Sequence, residues 1–313
     1  MKPTNLRRYL AHIKETGHYP IDERALEKDL MLSTFLSEMH DANELIFKGG
    51  TLLTKQHLGY HRISEDLDFT HTQSTRIRTL PRAQRERTIR ELIKPLLDTI
   101  KATSARSGLE FSTDRTDERY IRVRNNRAIY ELTLHYTSAL DNRRSSIKLE
   151  INFVEDMIYP TETHDIPTII DHIEADTDYL ASIGYEPLRP TLTCYSIDEI
   201  TIEKLRALLT REEPKERDLF DLFLIDQRYA IRYDPRAVHR KIDAAHLTNP
   251  QTLTNLRSTY ERVQRNDLVS VRDIEDLTLI PFDREAYERF ETDLIRTLRD
   301  ICATYEGLNE PNR

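Results

Sequence analysis

Hydrophobic residues recur along this chain in two rhythms. The first is helical. Ala25, Leu26, Leu30, Leu32 and Leu36 predict a helix over Ile21–Met39, and a shorter helix is expected over Asn5–Lys14. Ile89, Leu92, Ile93, Leu96, Leu97 and Ile100 predict a longer helix over Thr79–Ala102, with Arg82, Arg85, Arg87 and Arg90 on its other face. The second rhythm has a period of two. Tyr130, Leu132, Leu134 and Tyr136 alternate with Ile129, Glu131, Thr133 and His135. Ile147, Leu149, Ile151 and Phe153 alternate with Lys148, Glu150 and Asn152. Successive strand side chains point to opposite faces, so both read as half-buried strands, the second with an acid at its centre. Short apolar runs at Glu44–Phe47, Leu109–Phe111 and Tyr120–Val123 predict further strands. Residues 155–189, with Pro160, Pro167, Pro187 and Pro190 in and just after them, have no rhythm and read as a connection between lobes. Beyond Ile231 three charged helices are expected: Val238–Ala245, Pro250–Arg265 and Arg284–Tyr305. Gly307–Arg313 is expected to fray.

Two helical stretches carry charge where apolar residues belong. In Tyr195–Arg211, Ser196 followed by Glu199 forms a capping-box start. Ile197, Ile200, Leu205, Ala207, Leu208 and Leu209 make one broad arc, and Lys204 falls inside it. A lysine on a core-facing arc is costly without an anionic partner, and a triphosphate or a carboxylate would serve. A snorkelling lysine at a domain edge is the plainer alternative. In Arg217–Asp226, apolar residues surround most of the helix, while Arg217, Asp218 and Asp221 share one polar arc. Arg217 and Lys204 are the expected partners of those acids. An ion-pair network joining the two helices would explain the same residues.

Length and composition narrow the class. A chain of 313 residues suggests two domains, placed at 1–158 and 159–313. Hydrophobic residues make up 38% and charged residues 32%, with no apolar run near the about 18 residues of a membrane span. No secretory signal is expected, since the N-terminal stretch lacks an apolar core. Cys194 and Cys302 are the only cysteines, so neither a disulfide framework nor a zinc spacing is present, and a cytoplasmic setting is expected. His57 and His61, four apart across Gly59, and His164 and His172, read as surface residues, form no metal-ligand pattern. The net charge of −8 is unevenly spread. Thr75–Lys148 holds 17 Lys and Arg against 9 Asp and Glu, a local +8, leaving −16 elsewhere. An arginine-rich segment of this kind suits an RNA backbone, or is a set of solvated helix faces.

The most informative stretch is Phe47–Asp68. Gly49-Gly50-Thr51 lets the backbone approach a ligand closely and opens a helical turn whose free N–H groups attract phosphate. Two of only 7 glycines are spent there side by side. Asp66 and Asp68 follow on a strand expected over Arg62–Phe69, pointing the same way, while Leu67 and Phe69 point to the other face. Paired carboxylates repel unless a cation lies between them, and hard oxygen ligands suit Mg²⁺. No Gly-x-x-x-x-Gly-Lys-Ser/Thr loop occurs, which argues against a generic P-loop NTPase.

Lys48-Gly49-Gly50-Thr51, a spacer, then Arg62-x-Ser64-Glu-Asp66-Leu-Asp68 resembles motif I of the AbiEii-type nucleotidyltransferases. These are toxins of bacterial toxin–antitoxin and abortive-infection systems, they include the mycobacterial MenT enzymes, and they belong to the DNA polymerase β-like superfamily. The spacer from Leu52 to Glu65 is 14 residues, long for the superfamily, and Thr51 replaces the commoner Ser. Glu-Lys204-Leu-x-Ala-Leu-x-x-Arg followed by Arg217-Asp218-Leu-x-Asp221-Leu is similar to the later motifs of the same family. The resemblance covers roughly residues 20–230. It implies an α+β fold: a polymerase β-like core with a mixed sheet, and a mainly helical C-terminal lobe, with NTP in the cleft. It implies Mg²⁺, or Mn²⁺, at Asp66, Asp68 and Glu150, and functional roles for Lys204 and Asp218. Lys48, Gly49, Gly50, Thr51, Arg62, Ser64, Arg217 and Asp221 would hold the nucleotide. The implied reaction is transfer of NMP from NTP to RNA, the tRNA 3′ end in the MenT enzymes, which blocks translation and is opposed by a separately encoded antitoxin. Two alternatives stay open: NMP transfer to a protein hydroxyl, and a nucleotide-binding regulator without turnover.

Overall fold

The computed structural model describes residues 3–17, 22–40, 42–230, 233–268, 278–279 and 281–308. The fold is α+β, with one seven-stranded mixed sheet. The chain divides into two compact units, residues 1–153 with 161–194 and residues 154–160 with 195–313. A single division after residue 158 was expected; instead the chain leaves the first unit, returns for two strands and leaves again. Ile21, which opened one expected helix, and residues 309–313, expected to fray, lie outside the described residues.

The first unit begins with α1 (Pro3–Gly17) and α2 (Glu23–Ser37). Strand β1 (Leu45–Lys48) leads into α3 (Gly49–Leu52), which runs on as a π-helical turn (Leu53–Leu58), and then β2 (Asp66–His71). Helices α4 (Ser74–Arg78) and α5 (Arg82–Arg106) precede β3 (Ile121–Arg124), β4 (Ile129–Thr137) and β5 (Arg144–Asn152). After residue 160 the chain returns as β6 (Thr161–Asp165), α6 (Thr177–Ser182) and β7 (Thr191–Tyr195). The order across the sheet is β3-β4-β5-β2-β1-β7-β6.

The period-two patterns set the faces as expected. Leu67, Phe69, Tyr130, Leu132, Leu134, Ile147, Leu149 and Ile151 are all buried, and Leu26, Phe35, Ile89, Ile93 and Ile100 of α2 and α5 are buried with them. Each such side chain contributes about 1.5–3 kcal/mol of transfer free energy. Arg85, expected on the polar face of α5, is buried as well. Leu109–Phe111 forms no strand beyond a single bridge, Glu110 to His135. No strand was expected inside the proline-rich connection, yet β6 (Thr-Glu-Thr-His-Asp) lies there, at a sheet edge. It is exposed along nearly its whole length, so it needs no apolar alternation.

The second unit is built around α7 (Ile197–Thr210), which packs against α8 (Glu216–Tyr229), α9 (Pro235–Thr248) and α10 (Gln251–Gln264). Helix α11 (Arg284–Ala303) completes it. Leu205, Leu208, Leu209, Leu219, Phe220, Leu222, Val238, Ile242, Leu256 and Leu298 form its core. The expected cap at Ser196 is present, its hydroxyl accepting from the Glu199 N–H at 3.3 Å. Glu199 does not return the bond. Its carboxylate accepts from the backbone N–H groups of Ile158 and Tyr159 at 3.0 and 2.8 Å.

Candidate active site

Register puts charge in one line across the sheet. Lys48 is the Cα partner of Asp68, Asp68 of Glu150, Glu150 of Glu131 and Glu131 of Arg122. Residues paired in this way present side chains to the same face.

At the end of β1 the backbone turns sharply. Gly49 has φ +78°, a left-handed value that favours glycine. A methyl group on Gly49 would lie 2.1 Å from Asp68 Oδ2, and one on Gly50 would lie 2.8 Å from Arg62 Nη2 and 2.9 Å from Ser64 Oγ. The Gly-Gly turn, the second aspartate, the arginine and the serine are therefore one locus, although 14 residues separate the halves of the motif in sequence. Lys48 and Arg62 are nearly buried, at 6% and 5% exposure, so two cations are held beside the acids. The Thr51 hydroxyl donates to the Asp66 carbonyl at 2.5 Å and ties the helical turn to the acidic strand. Its donor is thus spent on the fold rather than on a phosphate.

Asp66 and Asp68 are half-buried on one face of β2. Glu150 lies beside Asp68 in register, but its carboxylate accepts from Arg124 Nη2 at 2.7 Å, and the same guanidinium reaches Glu131 at 3.0 Å. Among the described residues, no three His, Cys, Asp or Glu side chains converge as a ligand set. The donors present fit a hard divalent cation held by two carboxylates and completed by substrate oxygens. His57 and His61 are buried, and half-buried His164 bonds Gln56 and Glu162.

In the second unit the arc argument holds for Lys204. Its ammonium donates to Asp218 Oδ1 at 2.7 Å and to Asp221 Oδ2 at 2.6 Å, with both carboxylates fully buried. Arg217 is exposed. The guanidinium that pairs with Asp218 is that of Arg211, the last residue of the expected helical stretch, which stands just past the end of α7. A second buried lysine was missed altogether. Lys241 on α9 is fully buried, with Glu199 at 2.5 Å, Glu155 at 3.1 Å and Glu203 at 3.7 Å. Its neighbour Arg240 grips Asp156 through two bonds of 3.0 Å.

An acid pair, a Gly-Gly turn and basic side chains gathered at one locus are residue types that nucleotidyl or phosphoryl transfer uses. Residues 30–307 match the family described as nucleotidyl transferase AbiEii toxin, type IV toxin–antitoxin system. The chain belongs to this family and is a nucleotidyltransferase. Among solved structures it is similar to JHP933 from Helicobacter pylori, at 19% identity and a TM-score of 0.43, over 93% of this chain and 100% of that one. It is similar also to a candidate nucleotidyltransferase from H. pylori, at 18% identity and 0.43, with the same coverage. The family assignment rests on the sequence match and not on these structures. No curated protein matches the chain. Among the described residues, no helix is long and apolar enough to cross a membrane.

Proposed function

We propose that this nucleotidyltransferase moves NMP from an NTP to an RNA hydroxyl, the 3′ end of tRNA, and so blocks translation in the cytoplasm until a separately encoded antitoxin opposes it. The observation that carries the reading is the packing of Asp68 against Gly49, which makes the acid pair and the Gly-Gly turn one site. The +8 segment Thr75–Lys148 favours an RNA acceptor over a protein one.

Asp66 and Asp68 would hold Mg²⁺ or Mn²⁺, which when bound offsets phosphate charge and lowers the pKa of the attacking hydroxyl. The backbone at Gly49 and Gly50 gives close approach to the triphosphate, with Arg62 and Ser64 above Gly50 and Lys48 beside Asp68 as its polar partners. Within the second unit, Lys204 is the functional lysine that the family resemblance implies, held in one place by Asp218 and Asp221. Arg217, exposed on α8, stays among the nucleotide-binding candidates by the family resemblance. Glu150 acts by holding Arg124 beside the acid row.

The test is incubation of purified protein with total tRNA, Mg²⁺ and each α-labelled NTP separately, with Asp68→Ala alongside. Label on tRNA from one or two nucleotides, absent with the variant, is the expected result. Label on protein alone moves the acceptor to a protein hydroxyl. No label on either rejects both acceptors.

A further inference from the structure

Directly after the Gly-Gly turn lies a charge that the proposed chemistry does not use. Lys55, in the π-helical turn, has a side chain 1% exposed. Its ammonium donates to Asp29 Oδ1 at 2.6 Å, to Ser33 Oγ at 3.0 Å and to Tyr60 OH at 2.5 Å. The Tyr60 hydroxyl in turn donates to Asp29 Oδ2 at 2.9 Å. All four groups are buried. A buried ion pair costs several kcal/mol per ion in desolvation and is weak as a stabilising device, so its retention asks for another reason.

Position supplies one. The chain reverses immediately after the π turn through two consecutive left-handed residues, Gly59 at φ +71° and Tyr60 at φ +43°. The reversal sends residues 61–65 back across the helical turn, and that return places Arg62 and Ser64 over Gly50. Helix α2 grips the returning segment at both ends: Asp29 holds Tyr60, and Lys28 holds Glu65 at 2.5 Å. Arg62 and Ser64 lie between the two grips. Tyrosine is strained at φ +43°, and the two bonds on its hydroxyl offset that strain.

We infer that Asp29, Lys55 and Tyr60 are positioning residues for nucleotide binding, acting through Arg62. They set the height of the guanidinium above Gly50 and so the width of the phosphate cradle. The inference rests on the reading of Gly50, Arg62 and Ser64 as that cradle.

The test is a double-variant cycle read by equilibrium binding of ATP, GTP, CTP and UTP in turn, with KM and kcat measured on the nucleotide that binds. Tyr60→Phe keeps the ring and removes only the hydroxyl. It is expected to weaken nucleotide binding about fivefold and to raise KM by the same factor while kcat holds. In an Arg62→Ala background the same substitution is expected to change affinity by less than about 1.5-fold, since the group it positions is gone. Lys55→Met is compared with Lys55→Arg, which keeps the cation and is expected to restore binding. Independent, multiplying effects of Tyr60→Phe and Arg62→Ala overturn the positioning role. So does a lower melting temperature with unchanged affinity. If Arg62→Ala alone leaves affinity unchanged, the cradle reading falls first and takes this inference with it.

Discussion

Gly49→Ala is expected to silence nucleotide transfer almost as fully as loss of the Asp68 carboxylate. Two costs combine at this residue. At φ +78° any side chain is strained by about 1–3 kcal/mol. The added methyl would also overlap Asp68, 2.1 Å from Oδ2 and 2.8 Å from Cβ and Cγ. Asp68 lies inside a sheet between β1 and β5, so the strand cannot retreat, and either its carboxylate or the turn must move. A displacement of about 1 Å in a positioned catalytic group costs roughly 10²-fold in rate, and a fall in kcat/KM of about 10²–10³-fold is expected. Two other glycines separate the causes. Gly108 has φ +72° with nothing within 4 Å, so Gly108→Ala carries strain alone and is expected to lower the melting temperature while leaving the rate intact. Gly50 has no left-handed φ, and its methyl would meet the ends of Arg62 and Ser64, which can turn aside. Gly50→Ala is therefore expected to raise KM for the nucleotide more than it lowers kcat. Steady-state rates and thermal melts of the three variants decide the matter. Gly49→Ala behaving like Gly108→Ala would mean that the contact with Asp68 has no part in the chemistry.

What could be read in the sequence was whatever depends on local period. Alternation of two put Asp66 and Asp68 on one face and Glu150 on the polar side of its strand, and the structure keeps those faces. The helical arc exposed Lys204 as a lysine needing acids, and Asp218 and Asp221 are those acids. Lateral register is another matter. Nothing local says that Lys48, Asp68, Glu150 and Glu131 fall into one row, because strand order is set by pairing between distant segments. For the same reason the pairing of Glu150 with Arg124, 26 residues away, could not be foreseen. Lys55 was hidden differently. A π turn shifts the period, so a wheel drawn at 3.6 residues misplaces its side chain. Lys241 had a legible signal that was not used. It sits among Val238, Ile242 and Ala244 on an apolar arc, and the argument applied to Lys204 applies to it unchanged.

Lys241→Met is expected to be the most destabilising single change in the second unit, by about 3–5 kcal/mol, because it leaves buried acids without their cation. Glu155, Glu199 and Glu203 surround one ammonium, so its removal takes a cation away from all three. The titration directions agree. Burial alone would lower the Lys241 pKa, yet Glu155, Glu203 and Glu199 together raise it. Burial raises the pKa of Glu199, and Lys241 only partly offsets this. The raised lysine contributes stability below its ordinary range near 10.5, lost as pH climbs through the folded value. The raised glutamate contributes stability that is fully present below about 4.5 and is lost as pH climbs through its own folded value. Removing Lys241 takes away the offset and lifts the glutamate further. The deficit of Lys241→Met should therefore be largest near pH 7.5 and shrink toward pH 5, where protonation supplies what the ammonium did. Thermal melts across that range, on the native protein, Lys241→Met and Lys241→Met with Glu199→Gln, test the account. The double variant should recover part of the loss at pH 7.5 and little at pH 5. A deficit that does not vary with pH would mean that lost packing of the lysine stem, and not uncompensated charge, is the cause. Because Lys241 holds α7 through Glu199 and Glu203 while Lys204 projects from the same helix, activity in Lys241→Met should fall with the folded fraction. Its turnover per folded molecule should stay near that of the native protein.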